Sequence, residues 1–575
     1  MLAAFATLVA LFYTVENWRG RRAWESCRHE LEAKGGVLDW APFIPAPVPE
    51  DQNFVKAPGV GPWFVKGEHD TNAQTGLQRM TDGASFSALV AQKSQVAHPI
   101  GLVHLWPAGA QDAPSNAVPA AWLLGDRSGV PARLGRLIGV PLFSDPRNFG
   151  VIAPAQSSGK LQHVDLILPA SAPRTVSGSD QGVGSTSAMD WVKHELEELK
   201  LSLEPTGQEG EWRLVSKGIT AEGFLEYFSA FEPDLRLLDE AYRRPYARFD
   251  GDYDSPYEVP IPNYVHLRTL AQSLAEQASA HMALGQSAEA LQDLRRLRGL
   301  IDVLGKLNQT LVGAMIRVAV AGLYVNVLGE GLASGRLGDA TWPELSGSLG
   351  SLNVITNVTV SLAIERAAVI HMLEHFPRWR LAKAFTNGND PSDSPWRHGM
   401  GWFILLAPRG WFYQNQVVDA RLLDEGIAVL NPDGTRLTPR VLTDPERVQR
   451  VVSSWSPYSL FAGMAVPNFT RAMATGGRNQ TIILEARVAI ALEQYRVVHG
   501  GYPDSLEALA PEVIPSLPRD LFTGGTFIYR KQGRGYLLYS VGWNEKDDGG
   551  IKSSDLTSGD WVWDYCPSNS VLTGR

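Results

Sequence analysis

At 575 residues the chain exceeds what one hydrophobic core ordinarily serves, so several domains are expected. A hydrophobic share of 44% against 20% charged residues excludes wholesale disorder. The net charge of −9 excludes a general nucleic-acid binder, which needs a basic face. Its two cysteines, Cys27 and Cys566, stand near opposite ends, which excludes a disulfide scaffold and the usual cysteine-based zinc sites. Two free thiols are the expectation.

Residues 1–35 read as a membrane anchor helix. Leu2 to Val15 is an uncharged apolar run, followed by Arg19, Arg21, Arg22 and Arg28. The run is shorter than the ~20 residues of a full span, so a start further upstream is expected. No basic stretch precedes it and no small-residue cleavage site follows, which disfavours a cleaved signal peptide. The arginines would hold their side of the helix in the cytoplasm.

Residues 36–66 form a Pro-rich linker or wrapping strand built around Pro45-Ala46-Pro47-Val48-Pro49. Residues 67–215 read as a mixed α/β region, with a loop over 172–187 and a helix from Trp191 to Leu203 whose charged face carries His194, Glu195 and Glu198. Residues 216–386 switch to the helical period and read as an antiparallel α-helical bundle. Leu267, Leu270, Leu274 and Ala278 share one face; Leu294, Leu297, Ile301 and Leu304 share another, with Gly285 between the two helices. Thr341-Trp342-Pro343-Glu344 has the pattern of a capping box with proline in the first turn. Leu311 to Leu328 is apolar all round apart from Arg317, and flanking amphipathic helices favour a bundle core over a second span. Residues 387–465 read as an irregular segment pinned by Trp396, Trp402, Trp411, Phe412 and Tyr413.

Residues 466–575 read as an α+β domain. A long helix beginning after Pro467 is stopped by His499-Gly500-Gly501. Asp504, with Glu507 three residues on, is placed to cap a short helix over 505–510. Thr526 to Tyr529 and Gly535 to Ser540 read as strands around a turn from Arg530 to Arg534. The run Tyr502-Pro503, Leu506-Glu507-Ala508-Leu509, Asp520-Leu521-Phe522 and Tyr539-Ser540-Val541-Gly542 resembles the globular domain of the major pseudopilin of bacterial type II secretion systems. Leu521 stands where that family has proline, and the family's N-terminal polymerisation signal is missing. The resemblance implies a long helix packed on a small antiparallel sheet, docking with envelope proteins, and an extracytoplasmic body. It also implies a calcium ion on the loop after Tyr-Ser-x-Gly, for which Asn544, Asp547, Asp548, Asp555 and Asp560 offer hard oxygen ligands.

One string suggests catalysis. His371-Met372-Leu373-Glu374-His375 is an H-x-x-E-H pattern that could chelate zinc on one helical face, with Glu374 as base and Glu446 as a third ligand. The surrounding peptidase pattern is missing, and no nucleophile elbow, phosphate loop or dinucleotide fingerprint is present. The favoured reading is a multidomain, mainly α, single-pass bacterial membrane protein. Its role would be structural or interactive, within an envelope or secretion-like assembly and with protein partners. A zinc hydrolase at 371–375 is the alternative, and a ligand binder using the aromatic 396–413 segment a third.

Overall fold

The structure, a computed structural model, describes residues 2–64, 98–124, 130–138, 140, 142–144, 151–152, 163–171, 187–256, 258–307, 310–386, 395–439, 456–533, 535–553 and 555–565. The expected 172–186 part of the loop, Glu446 and Cys566 lie outside these residues. The protein is mainly helical, with a five-stranded mixed sheet, a three-stranded sheet and a two-stranded ribbon.

Helix α1 (Leu2–Ala33) is followed by short turns that wrap the body. The wrap is more than a linker: Phe54, Val60, Trp63 and Phe64 are buried in the main core. Asn53 holds it there, donating to the Arg248 carbonyl and accepting from the Arg248 amide.

In the mixed region, β1 (His98–Trp106) lies at the sheet centre. The sheet order is β2 (Val118–Pro119), β5 (His163–Ile167), β1, β7 (Glu211–Ser216), β6 (Leu201–Pro205). β1 runs parallel to β5 and antiparallel to β7. The ribbon pairs β3 (Phe143–Ser144) with β4 (Val151–Ile152). Helices α2 (Ala120–Leu124), α3 (Val130–Ile138) and α4 (Ala188–Glu198) share a separate core with this sheet. The helix expected to reach Leu203 stops at Glu198, because Lys200 takes a left-handed φ of 58° and turns the chain into β6. Glu195 is buried and not on the solvated face.

The bundle comprises α5 (Ala221–Ser229), α6 (Glu232–Ala241), α7 (Tyr264–Ala283), α8 (Ser287–Lys306), α9 (Leu311–Ser334), α10 (Trp342–Gly350) and α11 (Ile355–His375). The two leucine faces of α7 and α8 are buried, and Gly285 at φ 74° makes the turn between them. The capping box does not form: a 3-10 turn over Asp339–Thr341 leads directly into α10, and Glu344 reaches across to Arg295 instead. Two stretches, Leu311–Ser334 and Asp339–His375, are long and apolar enough to cross a membrane. Helix α9 sits amid α7, α8, α11 and the long C-terminal helix. Its Arg317 donates to the carbonyls of Ile301 and Asn353, which satisfies a charge that would otherwise be costly to bury.

After α11 comes α12 (Arg378–Thr386), within the span expected to be helical; of the segment expected to be irregular, residues 395–428 are helical, as α13 (Pro395–Leu406) and α14 (Arg409–Ala428). Phe412 shares a buried cluster with Ile404, Ala407, Met372 and Leu373, which holds this segment against α11. Helix α15 (Leu460–His499) runs for 40 residues, passing through Pro467 and ending as expected at Gly500, φ 74°. The C-terminal sheet orders β10 (Trp561–Val562), β9 (Gly535–Ser540) and β8 (Ile528–Gln532). The β8–β9 turn is tighter than expected, since Arg530 to Gln532 pair with β9. Asp504 does not cap the short 3-10 helix Leu506–Leu509 but pairs with Lys531.

The C-terminal unit is fused to the bundle. One continuous core runs from Phe54 through the bundle to Trp563. Gly329 of α9 lies under the Tyr565 ring, where an added Cβ would sit 2.4 Å from ring carbon.

Candidate functional site

Helix α1 divides into two halves of opposite character. Residues 3–12 are all exposed although almost every side chain is apolar; Phe5 is 67% exposed and Leu8 65%. From Tyr13 onward the helix is seated on α14 and α11.

The seat depends on glycine. A Cβ on Gly410 would lie 1.9 Å from the Glu16 carbonyl oxygen, and one on Gly20 would lie 2.2 Å from the Gly410 oxygen. The two backbones therefore touch, and the Gly410 amide donates to Asn17 Oδ1 at 2.9 Å. Glu16 is buried beside this contact. It accepts from Trp411 Nε1 and Tyr458 Oη at 3.0 Å each, and pairs with Arg19 at 2.8 Å. Lower down, Trp24 Nε1 donates to Glu374 at 2.7 Å, and Cys27 is buried as a free thiol.

Between α11 and α14 lies a buried polar layer. Arg366 donates to Asp424 at 2.9 Å and to the Val37 carbonyl. Gln416 donates to the Ile370 carbonyl. Asp419 Oδ2 is buried with no hydrogen-bond partner among the described residues. Burial, with Glu365 nearby, pushes the Asp419 carboxyl up to about 7.

In the C-terminal unit, two motif elements meet directly. Ser540 Oγ donates to Asp520 Oδ1 at 2.7 Å, and Asp520 also accepts from the Phe522 amide and Thr523 Oγ1. Glu485 of α15 is fully buried alongside, and burial next to the Asp520 charge raises it well above the carboxylate range. Tyr502 Oη donates to Glu493 at 2.6 Å, closing the loop after α15 back onto the helix.

The calcium candidates act as turn staples. Asn544 Nδ2 donates to Asp548 at 2.8 Å. Asp560, buried, accepts from the Asp548 and Gly550 amides. Asp547 accepts from Tyr539 Oη and the Gly549 amide. Asp555 bonds within its own turn, to Thr557. Among the described residues, no group of three or more His, Cys, Asp or Glu is placed to hold a metal ion.

At the H-x-x-E-H string, the His371 and His375 rings stack with centroids 4.4 Å apart. His375 Nδ1 lies 3.0 Å from the His371 carbonyl oxygen. Glu374 is engaged by Trp24, with Arg28 3.7 Å away, so the residue expected as a base is a strut for α1. Sequence reasoning missed Glu16, Gly20, Gly410 and Asp419. A glycine within the aromatic run Arg409-Gly410-Trp411 was the available signal for a close helix crossing.

Three variants test these assignments. Gly410→Val is expected to unseat α1, read as faster protease cleavage between α1 and the body with bundle helicity retained. Asp419→Asn tests the buried carboxyl. Since folding raises its pKa, the folded protein keeps a proton that the unfolded chain releases near the ordinary value of 3.8. That stabilisation is complete below this value and is lost as pH rises to about 7. The variant should therefore match the parent at low pH and melt several degrees higher at alkaline pH. Asp560→Ala, melted in chelator, should lose about 1–3 kcal/mol because two backbone amides lose their acceptor; a loss seen only in calcium would place an ion on the loop.

No family model, curated protein or solved structure matches the chain.

Proposed function

We propose that the protein is a membrane-anchored structural or interaction component of the bacterial cell envelope, inserted by α1 and carrying a pseudopilin-like C-terminal unit for docking to protein partners. The observation that carries this reading is the first half of α1: an apolar stretch, exposed on every side, extending from a rigid seat. Exposing such a surface to water costs roughly 25 cal/mol for each Å², so a nonaqueous environment is its natural place. Residues 2–12 project ~16 Å at 1.5 Å per residue, enough to enter the hydrocarbon core.

The seat gives the anchor a mechanical role. A flexible tether would leave the body free to tumble, whereas a helix locked by Gly20, Gly410 and buried Glu16 holds the body at a set angle to the bilayer. The fusion of α15 with the bundle carries that angle on to the C-terminal unit. We place the body on the extracytoplasmic side and assign it a secretion-like assembly, both from the residues shared with pseudopilins. The Ser540–Asp520 bond supports that likeness, because it ties together two motifs that lie 20 residues apart.

Flotation on membranes after an alkaline wash tests the reading. The full chain is expected to stay with the lipid, and a chain lacking residues 3–12 to be released. A full chain found wholly in the soluble fraction would overturn it.

A further inference from the structure

Where α1 leaves the body, the surface does not become polar. Helices α12 and α13 form a hairpin whose Leu381, Ala382 and Ile404 join a small core with Met372 and Leu373 of α11 and Phe412 of α14. On the outside of that hairpin Trp379 is 62% exposed, Trp402 65% and Leu406 64%. The patch is continuous with α1, since Tyr13 Oη donates to the Leu406 carbonyl and the Phe12 ring meets Trp411 edge-on at 6.2 Å. Arginines border it. Arg378 donates to the Leu405 carbonyl at 3.0 Å, and Arg409 donates to the Glu374 carbonyl at 2.8 Å. Neither pairs with a carboxylate among the described residues.

We propose that the α12–α13 hairpin is a second membrane-contact element, lying in the headgroup region around the point where α1 enters and sinking Trp379, Trp402 and Leu406 into the bilayer surface. This rests on the anchoring role proposed for α1. The composition selects a lipid surface over a protein groove: tryptophans suit the boundary between headgroup and acyl chain, and arginines beside them pair with anionic phosphates. Position argues the same way. A bilayer that accepts α1 necessarily reaches the body at Tyr13, and Leu406 is bonded to Tyr13. The hairpin would set the depth of α1 and the tilt of the body, as a collar does on a shaft.

The test uses the full chain in vesicles of phosphatidylcholine with added phosphatidylglycerol. W402C, W379C and V498C are each placed in a C566S background and labelled with bimane; Cys27 is fully buried and takes no label. Val498, 75% exposed at the far end of α15, is the control. Lipids brominated near the headgroup should quench the W402C and W379C labels about twofold or more, as expected for side chains ~5–10 Å into the interface, and leave the V498C label unchanged. A chain that floats with the vesicles while its W402C and W379C labels stay unquenched and as open to iodide as V498C overturns the collar and leaves the anchor standing. Labels shielded from iodide yet unquenched by lipid would mean that a second protein copy covers the hairpin, which also overturns it. A chain that does not float removes both proposals.

Discussion

Everything rigid about the N-terminal helix follows from one close approach of backbones. Gly20 and Gly410 let α1 and α14 touch, with distances too short for any side chain between them. Small residues at a helix crossing trade side-chain packing for main-chain contact, and the approach brings the Gly410 amide to Asn17. Such proximity is what allows Glu16 to be buried. A lone carboxylate in an apolar seam would be costly, but here Trp411, Tyr458 and Arg19 all reach it. The charge and the glycines thus depend on each other: a wider crossing would let water reach Glu16 and remove its partners.

The same logic extends along the body. α11 meets α1 through Glu374 and Trp24, and meets α14 through Arg366 and Asp424. Three helices far apart in sequence are thereby joined by directional bonds and not by apolar packing alone. Apolar contacts tolerate sliding; hydrogen bonds between buried groups penalise it, because a shifted partner leaves an unsatisfied donor or acceptor. Asp419 departs from this pattern. Burial, with one oxygen unpartnered and Glu365 nearby, favours its neutral form.

Parts of this architecture were legible in the residues. The leucine spacings of α7 and α8, with Gly285 between them, specify a helical hairpin because pattern and punctuation agree. Gly500 likewise marks the end of α15. The misreadings have physical causes. Residues 395–428 looked irregular because Gly, Pro and aromatic residues weaken a helical signal, while tertiary packing of Phe412 and Ile404 overrides propensity. Thr341 and Asp504 had the residue types of caps, yet tertiary contacts took up the carboxylates: Glu344, the box partner of Thr341, pairs with Arg295, and Asp504 itself pairs with Lys531. The seat itself was invisible, since its halves lie about 390 positions apart and no local pattern connects Glu16 with Gly410.

The fusion at the C-terminal end has a consequence for how the molecule transmits force or orientation. Had the last hundred residues formed a separate unit on a linker, the position of α1 would say nothing about theirs. Instead α15 packs on α9, α10, α11 and α14, and the sheet rests on α15. Tyr565 returns to α9, where its hydroxyl donates to Asn326 on the exposed face of that helix. A tilt imposed at Gly20 therefore passes through α14 to α15 and its sheet without crossing a flexible joint among these elements. Closely packed interiors resist such deformation, so the body responds as one lever. The position of β8 and the loop after Ser540 is then fixed relative to the helix at the other end of the described residues, which a domain on a flexible linker could not achieve.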